Sequence, residues 1–117
     1  MISSVNSTIA ALQANRIRLG VTADNIANVN TDEFKKNRVI QKEGVEGGIQ
    51  VDVNRVNSPG HRYQAFEGNQ QVEKESSNVN LEEELPEMMV TQRTYEANLK
   101  VLQTHDKMLG TLLDIVG

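Results

Sequence analysis

The sequence predicts a mainly α-helical protein whose two long terminal helices form an antiparallel coiled coil, joined by a short β-containing middle segment. Apolar residues recur every three or four positions at both ends of the chain, whereas glycines and a two-residue alternation mark the middle. A length of 117 residues suits one folding unit. We divide the chain into an N-terminal helix (1–32), a β/loop segment (33–79) and a C-terminal helix (80–117).

The N-terminal segment is predicted to form one amphipathic helix. Asn28, Asn30 and Thr31 crowd together after it, and their short polar side chains compete for backbone hydrogen bonds, so we expect the helix to end near Ala27. Arg16 is its one polar core position. The apolar heptad positions a and d are Ile2, Val5, Ile9, Leu12, Leu19, Ala23 and Ile26.

The C-terminal segment repeats this pattern. Asn80 is expected to cap the helix in a partial capping box with Glu83, while Pro86 predicts a kink or a later helix start. Arg16 and Asp106 are expected to pair across the antiparallel seam. The first turns of this helix are predicted to be a solvated acidic start formed by Glu82, Glu83, Glu84 and Glu87. The a and d positions are Leu85, Met88, Gln92, Tyr95, Leu99, Leu102, Asp106, Leu109, Leu113 and Val116.

The middle segment carries strand and turn signals. Ile49, Val51 and Val53 alternate with polar residues, which predicts a half-buried strand. The turn signal at 58–60 precedes aromatic residues at 63 and 66, which are expected to start a return strand. Residues 73–78 are polar enough to predict a flexible connector.

Composition argues against several classes of function. A net charge of −4 and 3% aromatic residues predict no nucleic-acid partner and no deep pocket for a small-molecule substrate. The chain has no cysteine, and His61 and His105 lack the spacing of metal ligands. We therefore expect no enzyme, catalytic residue, metal or cofactor. No apolar run is long enough to span a membrane, and the N-terminus lacks the pattern of a cleavable signal peptide.

Further apolar rows predict contacts with another chain. One seam between two helices leaves additional apolar positions uncovered, and such surface on a protein usually marks an interface. We expect self-association into a homo-oligomer, although a monomeric bundle could also use these rows as its core. The predicted assembly interface comprises Ile17, Val21, Val101, Met108, Leu112 and Ile115.

Residues 25–31 have the sequence NIANVNT and are followed by an aromatic and a basic residue, and residues 92–98 have the sequence QRTYEAN. These two motifs resemble the terminal signatures of bacterial flagellar rod and hook proteins. Glu33 stands where this family usually has glycine. The matching positions are Asn25, Ile26, Ala27, Asn28, Asn30, Thr31 and Phe34 in the first motif, and Gln92, Arg93, Tyr95, Glu96, Ala97 and Asn98 in the second.

The short middle segment is similar to that of the smallest members, the proximal-rod type. The resemblance implies a structural subunit of the flagellar basal-body rod that assembles with itself and other rod and hook proteins. It also implies export of the unfolded chain by the flagellar type III export apparatus, without a cleavable signal, to the periplasmic rod. The alternative is a cytoplasmic coiled-coil adaptor or export chaperone that binds a partner's amphipathic helix.

Overall fold

The computed structural model describes residues 2–45 and 48–117. The molecule is elongated, with extents of 81 × 25 × 20 Å. Two long helices and four short antiparallel strands give the predicted mainly α architecture with a β-containing middle. In chain order the elements are α1 (Ile2–Ala27), β1 (Asn37–Glu43), β2 (Ile49–Arg55), β3 (Arg62–Glu67), β4 (Gln70–Glu75) and α2 (Leu81–Val116).

The helix ends agree only partly with the predicted signals. α1 ends at Ala27, as predicted. Asn80 occupies the N-cap position of α2, but its side chain makes no capping hydrogen bond, so the predicted capping box is wrong. The helix begins at Leu81 and continues through Pro86, which excludes a start at the proline. Pro86 lacks the N–H that would otherwise donate to the carbonyl of Glu82.

The two helices run antiparallel. Near one end of the pair, Arg18 Nη1 lies 2.6 Å from Glu87 Oε1. Near the other end, Val5 lines a shared groove with Leu102 and Leu109. Residues early in α1 therefore lie beside residues late in α2.

The side chains between the helices are not those of the predicted seam. The contact between α1 and α2 keeps a seven-residue repeat. On both helices, however, the row that faces the partner helix lies one residue before the predicted a row. Met88, Tyr95 and Leu102 are half-buried, as their predicted d positions require. The displaced row consists of Thr8, Asn15 and Thr22 on α1, which are buried, and of Glu84, Thr91, Asn98 and His105 on α2, of which the first two are buried and the others half-buried.

This displacement also separates the predicted ion pair. Arg16 and Asp106 are both exposed. Asp106 lines the groove beside Val5, and Arg16 lies eleven residues further along α1, a helical distance of about 16 Å. The predicted pairing is therefore wrong, and the ion pair between the helices joins Arg18 to Glu87 instead.

The middle segment forms two hairpins. The predicted strand at residues 49–53 lies within β2, but its partner is β1, with Val39 opposite Val53. The expected strand around Tyr63 is β3, which pairs with β4 rather than returning to β2. Gly68 has a φ of +64°, the left-handed backbone that glycine accommodates in a two-residue hairpin turn.

The hairpins occupy different parts of the molecule. The first packs mainly on α1, where Ser7 lies near Ile49 and Val21 lies near Val39. α2 accounts for about 54 Å of the 81 Å length. The second hairpin therefore extends beyond the helix pair, at the end where α1 stops and α2 starts.

The predicted flexible connector at residues 73–78 is wrong. Its first half belongs to β4, and Ser77 and Asn78 are buried. Asn78 Oδ1 accepts a hydrogen bond from the Lys36 N–H at 2.7 Å, while Nδ2 donates to the carbonyls of Val56 at 2.9 Å and Ser58 at 3.0 Å. The polar composition reflects these internal hydrogen bonds rather than solvation.

Glu33 supplies a test of backbone strain. Its φ of +63° is left-handed, where a residue with a Cβ is disfavoured by about 1 kcal/mol or more. Glu33→Gly should therefore raise the free energy of unfolding by about 0.5–1 kcal/mol in urea denaturation of the dilute protein. Glu33→Ala, the control, retains the Cβ and should give no comparable gain. Equal effects of the two substitutions would contradict a backbone origin.

Candidate assembly interface

Apolar side chains lie mostly on the surface of this molecule. Among the residues that the structure describes, Ala14 and Val79 are the buried apolar ones. Ile2, Met89 and Val116 are examples of large apolar side chains that are mainly exposed. Helix packing that buries threonine and asparagine while exposing isoleucine and leucine reverses the usual distribution. An exposed apolar surface of this kind is typical of a protein that contacts other chains.

The predicted seams of the two helices lie side by side. Ile9, Arg16 and Ala23 of α1 each follow a buried residue by one position. On α2, Leu85 and Gln92 follow a buried residue, while Leu99 and Asp106 follow a half-buried one. One residue turns the side chain by about 100° around the helix axis. Because the helices are antiparallel, this turn moves both seams to the same side of the pair. We call this surface the seam face, and its exposed large apolar residues include Ile2, Ile9 and Leu19 of α1 and Leu85, Leu99, Leu109 and Leu113 of α2.

The first hairpin lies on the other side of the helix pair. Ser7 lines a groove with Ile49, Val21 lines a cavity with Val39, and each precedes a buried residue of α1 by one position. The same geometry therefore turns them away from the seam face. Consequently the first hairpin, which packs on α1, does not cover the seam face.

The predicted contact of Leu99, Leu102, Leu109 and Leu113 with α1 holds only in part. Leu102 is half-buried, and Leu109, although 44% exposed, lines the groove beside Val5 of α1. Leu99 lies on the exposed seam face. Leu113 is 71% exposed because α2 continues past the described start of α1.

The α2 part of the predicted assembly interface is a row at seven-residue spacing. Val101, Met108 and Ile115 are 44%, 49% and 76% exposed. Each precedes a residue of the predicted d row by one position, which places this row, here called the flank row, on the hairpin side of the pair. Leu112 is also exposed and continues the inward-facing row of α2 beyond α1.

The α1 part of the predicted interface is less uniform. Ile17 is exposed, whereas Val21 is half-buried and lines a cavity beside Val39. The first hairpin therefore covers part of the Val21 side chain within the subunit. The whole set remains a prediction for assembly.

A polar junction holds α1, β1 and α2 together. Asn25 is 1% exposed, and its side-chain amide pairs with the backbone of Asn37: Oδ1 accepts from the N–H at 3.0 Å, and Nδ2 donates to the carbonyl at 2.9 Å. Nδ2 also donates to Glu84 Oε2 at 3.3 Å. One buried side chain therefore fixes the end of α1 against the first strand and the start of α2.

The acidic start of α2 is not the solvated cluster that the sequence predicts. Glu84 is buried beside Asn25, and Glu87 pairs with Arg18. Glu83 Oε2 accepts from the ammonium group of buried Lys36 at 3.3 Å. Three of the four predicted solvent-facing acids therefore contribute to the contact of α2 with the remainder of the chain.

The base of the second hairpin is held by Glu75. Its Oε1 accepts hydrogen bonds from Lys35 Nζ at 2.6 Å and from the Gly60 N–H at 2.8 Å. The lysine, followed by the glycine N–H, lowers the pKa of the Glu75 carboxyl from its ordinary value. A Cβ added to Gly60 would lie 1.9 Å from the carbonyl oxygen of Ser76, so the close chain crossing requires glycine.

A tyrosine supports the same base. The Tyr63 hydroxyl lies 2.7 Å from both carboxylate oxygens of Asp32 and donates to that group. This hydrogen bond raises the pKa of the Tyr63 hydroxyl. The turn after α1 is thereby linked to β3.

The first family-like motif builds the turn after α1. Asn25 belongs to the polar junction. The Thr31 hydroxyl donates to Asn28 Oδ1 at 3.1 Å, and the Phe34 carbonyl accepts from the Asn78 N–H at 3.3 Å. Of the remaining matched positions, Ile26 is half-buried, and Ala27 and Asn30 are exposed.

The second motif lies near the middle of α2, away from the junction. Tyr95 and Asn98 are half-buried between the helices. The other matched positions, Gln92, Arg93, Glu96 and Ala97, are exposed. Sequence reasoning missed the hydrogen bond of Glu84 with Asn25 of the first motif. It also missed the polar inward face of α1, for which the seven-residue recurrence of Thr8, Asn15 and Thr22 was an available signal.

The described residues, 2–45 and 48–117, contain no group of three histidine or acidic side chains placed to hold a metal ion. Within the same ranges, neither helix combines the length and hydropathy needed to cross a membrane.

An elongated helix pair with apolar side chains on its outer surface defines a class of proteins suited to assembly. Comparison with known proteins identifies the family. Residues 6–35 match the model described as flagella basal body rod protein, and residues 70–115 match the flagellar basal body rod FlgEFG protein C-terminal model. Together these matches cover more than half of the chain, in the order that the two motifs predicted.

The individual proteins that are similar to this chain agree with the family models. The flagellar basal-body rod protein FlgC of Borreliella burgdorferi is 27% identical over 148 aligned positions, which cover 99% of this chain and 97% of that protein. The rod protein FlgG of the same organism is 56% identical over 36 residues, 31% of this chain and 14% of that protein. The hook protein FlgE of Escherichia coli is 44% identical over 41 residues, 35% of this chain and 10% of that protein.

The chain belongs to the flagellar basal-body rod and hook protein family. The prediction of a small rod-type member is confirmed, because the match to a rod protein extends over nearly the whole of both chains. These are structural proteins of the motility apparatus, and the chain is not an enzyme.

The junction predicts a large effect of Asn25→Ala. The change leaves the Asn37 backbone and the buried Glu84 carboxylate without their amide partner, so the free energy of unfolding should fall by about 2–4 kcal/mol. Urea denaturation measures it. Asn28→Ala is the control, because its side-chain hydrogen bonds are exposed and local, and it should cost under about 1 kcal/mol. Equal losses would contradict the role of the junction.

Glu75 predicts a specific pH dependence. Its pKa is lower in the folded chain than the ordinary 4.5, so its stabilisation is complete above that value and disappears as the pH falls through the folded pKa. Wild type should therefore exceed Glu75→Gln in urea midpoint at pH 7. The difference should shrink progressively below pH 4.5. A difference that stays constant to pH 3 would contradict this assignment.

Proposed function

We propose that the protein is a structural subunit of the flagellar basal-body rod that polymerises through its terminal helices. The observation that carries this proposal is the reversed packing of the helix pair, with threonine and asparagine inside and large apolar side chains outside. Burying such side chains against neighbouring subunits is favourable by roughly 1.5–3 kcal/mol for each fully buried residue. A polymer supplies this burial, which the isolated chain lacks.

The partners are further copies of the chain and other rod and hook proteins. Both terminal regions match family models of such proteins, and the matched C-terminal region contains the flank row. A subunit with apolar surfaces on both sides of one helix can contact two neighbours at once. This supports a place inside a continuous assembly rather than at a single pairwise contact.

Export of the unfolded chain by the flagellar type III apparatus is part of the proposal, as is a final position in the periplasmic rod. The small buried apolar area supports it, because a chain with little apolar core has low stability and opens readily. Assembly then contributes the burial that completes the fold. If the protein were instead a cytoplasmic adaptor or export chaperone, it would stay in the cytosolic fraction.

Fractionation tests the proposal directly. The protein should be found in purified basal bodies and, when assembly is blocked, in the culture medium or periplasm rather than only in the cytosol. Detection solely in the cytosolic fraction would contradict a rod subunit and favour the adaptor.

The flank row gives the matching mutational prediction. Val101→Glu or Ile115→Glu should abolish incorporation into basal bodies and motility, because a charge would be buried in a repeated interface. Export should continue, since an unfolded chain does not need this row to pack. Immunoblots of exported and basal-body fractions measure both effects. Lys100→Glu is the control on an exposed neighbouring position and should assemble normally. Normal assembly of either row variant would contradict the proposed interface.

A further inference from the structure

Two apolar surfaces lie on different sides of α2 along the same stretch of helix. Leu99 and Leu113 belong to the seam face, while Val101 and Ile115 belong to the flank row. Residues two positions apart on a helix point about 160° away from each other, so the two surfaces face nearly opposite directions. Each pair spans about 21 Å along the helix axis. On this half of α2 the two surfaces therefore cover the same length of helix, while the seam face also continues to Leu85 and onto α1.

Charged side chains are largely absent from the seam face and the flank row in this half of the helix pair. Residues 2–15 of α1 carry no charged side chain. On the same half of α2, Lys100, Lys107 and Asp114 recur at seven-residue spacing on the side that points away from α1, between the two apolar surfaces. Asp106 is the one charged residue in the seam of this half. Depletion of charge is a property of the buried centre of interfaces between proteins.

We infer that the seam face of one copy packs against the flank row of the next copy. The contact is heterologous, so every subunit uses one surface for each of two neighbours. Because both surfaces flank the established contact of α1 with α2, the new contacts extend that helix packing laterally. The inference deepens the proposed rod function, on which it rests for the identity of the assembly.

The alternative arrangement of the same surfaces leaves apolar side chains in water. A closed two-fold dimer through the seam face would cover Leu99 in both copies but leave Val101 exposed, and a dimer through the flank row would do the reverse. Pairing one surface with the other covers both in every subunit except those at the ends. Such heterologous contacts propagate into rings or filaments.

Three consecutive residues provide the test. Leu99→Glu disables the seam face, Val101→Glu disables the flank row, and Lys100→Glu alters the charged side between them. Sedimentation velocity of the purified full chain, with circular dichroism to verify helix content, should show self-association of wild type and Lys100→Glu. Each apolar-surface variant alone should remain monomeric, with association weakened at least about 100-fold.

The decisive sample is the mixture of the two variants. Leu99→Glu retains a flank row and Val101→Glu retains a seam face, so an equimolar mixture should form one-to-one pairs that grow no further. Self-pairing of Val101→Glu would indicate a closed seam-face dimer and overturn the inference, as would self-pairing of Leu99→Glu. A monomeric mixture or a monomeric wild type would also overturn it.

If circular dichroism shows that Leu99→Glu or Val101→Glu has lost its helix content, a second variant of the same surface takes its place. Ile9→Glu replaces Leu99→Glu on the seam face, and Met108→Glu replaces Val101→Glu in the flank row. Basal-body fractionation distinguishes this inference from the rod function itself. A protein found in basal bodies whose variants fail to complement remains a rod subunit with a different contact, whereas a protein confined to the cytosol refutes the proposed function.

Discussion

The hydrogen bonds of Asn25 determine which sides of the helices face each other. A fully buried amide that pairs with both backbone groups of Asn37 tolerates little rotation of α1, because any rotation would leave buried polar groups unpaired. Its further contact with Glu84 orients the start of α2. With both helices held at this end, threonine and asparagine point inward along their length. The apolar rows are consequently turned outward.

The sequence predicted the elements better than their orientation. Periodicity located both helices and the strand at 49–53, since burial patterns repeat with the geometry of each element. It placed the contact one residue away from the observed one, because a heptad pattern assigns the most apolar row to the nearest partner. In this chain that row is Ile9 and Leu99, which remain exposed within the subunit. The observed row, with Asn15 and Thr91, is polar and gives no hydrophobic signal.

The candidate site was predictable where it depended on composition and unpredictable where it depended on pairing. The exposed flank row was identified because its apolar residues exceed what one partner helix can cover. The junction was missed because Glu84 resembles an ordinary acidic helix start, and its contact with Asn25 joins residues 59 positions apart. The polar connector likewise concealed Asn78, whose hydrogen bonds are all to distant segments.

The central claim is that the helices acquire their full stability from neighbouring subunits. Amide hydrogen exchange of the full chain, compared between dilute monomer and assembled protein, tests this most directly because it reports local opening along each helix. The account predicts weak protection in the monomer for residues 2–14 and 99–116, and a rise of at least about 100-fold upon assembly, with smaller changes near Asn25. Strong protection of both segments in a demonstrated monomer would contradict it.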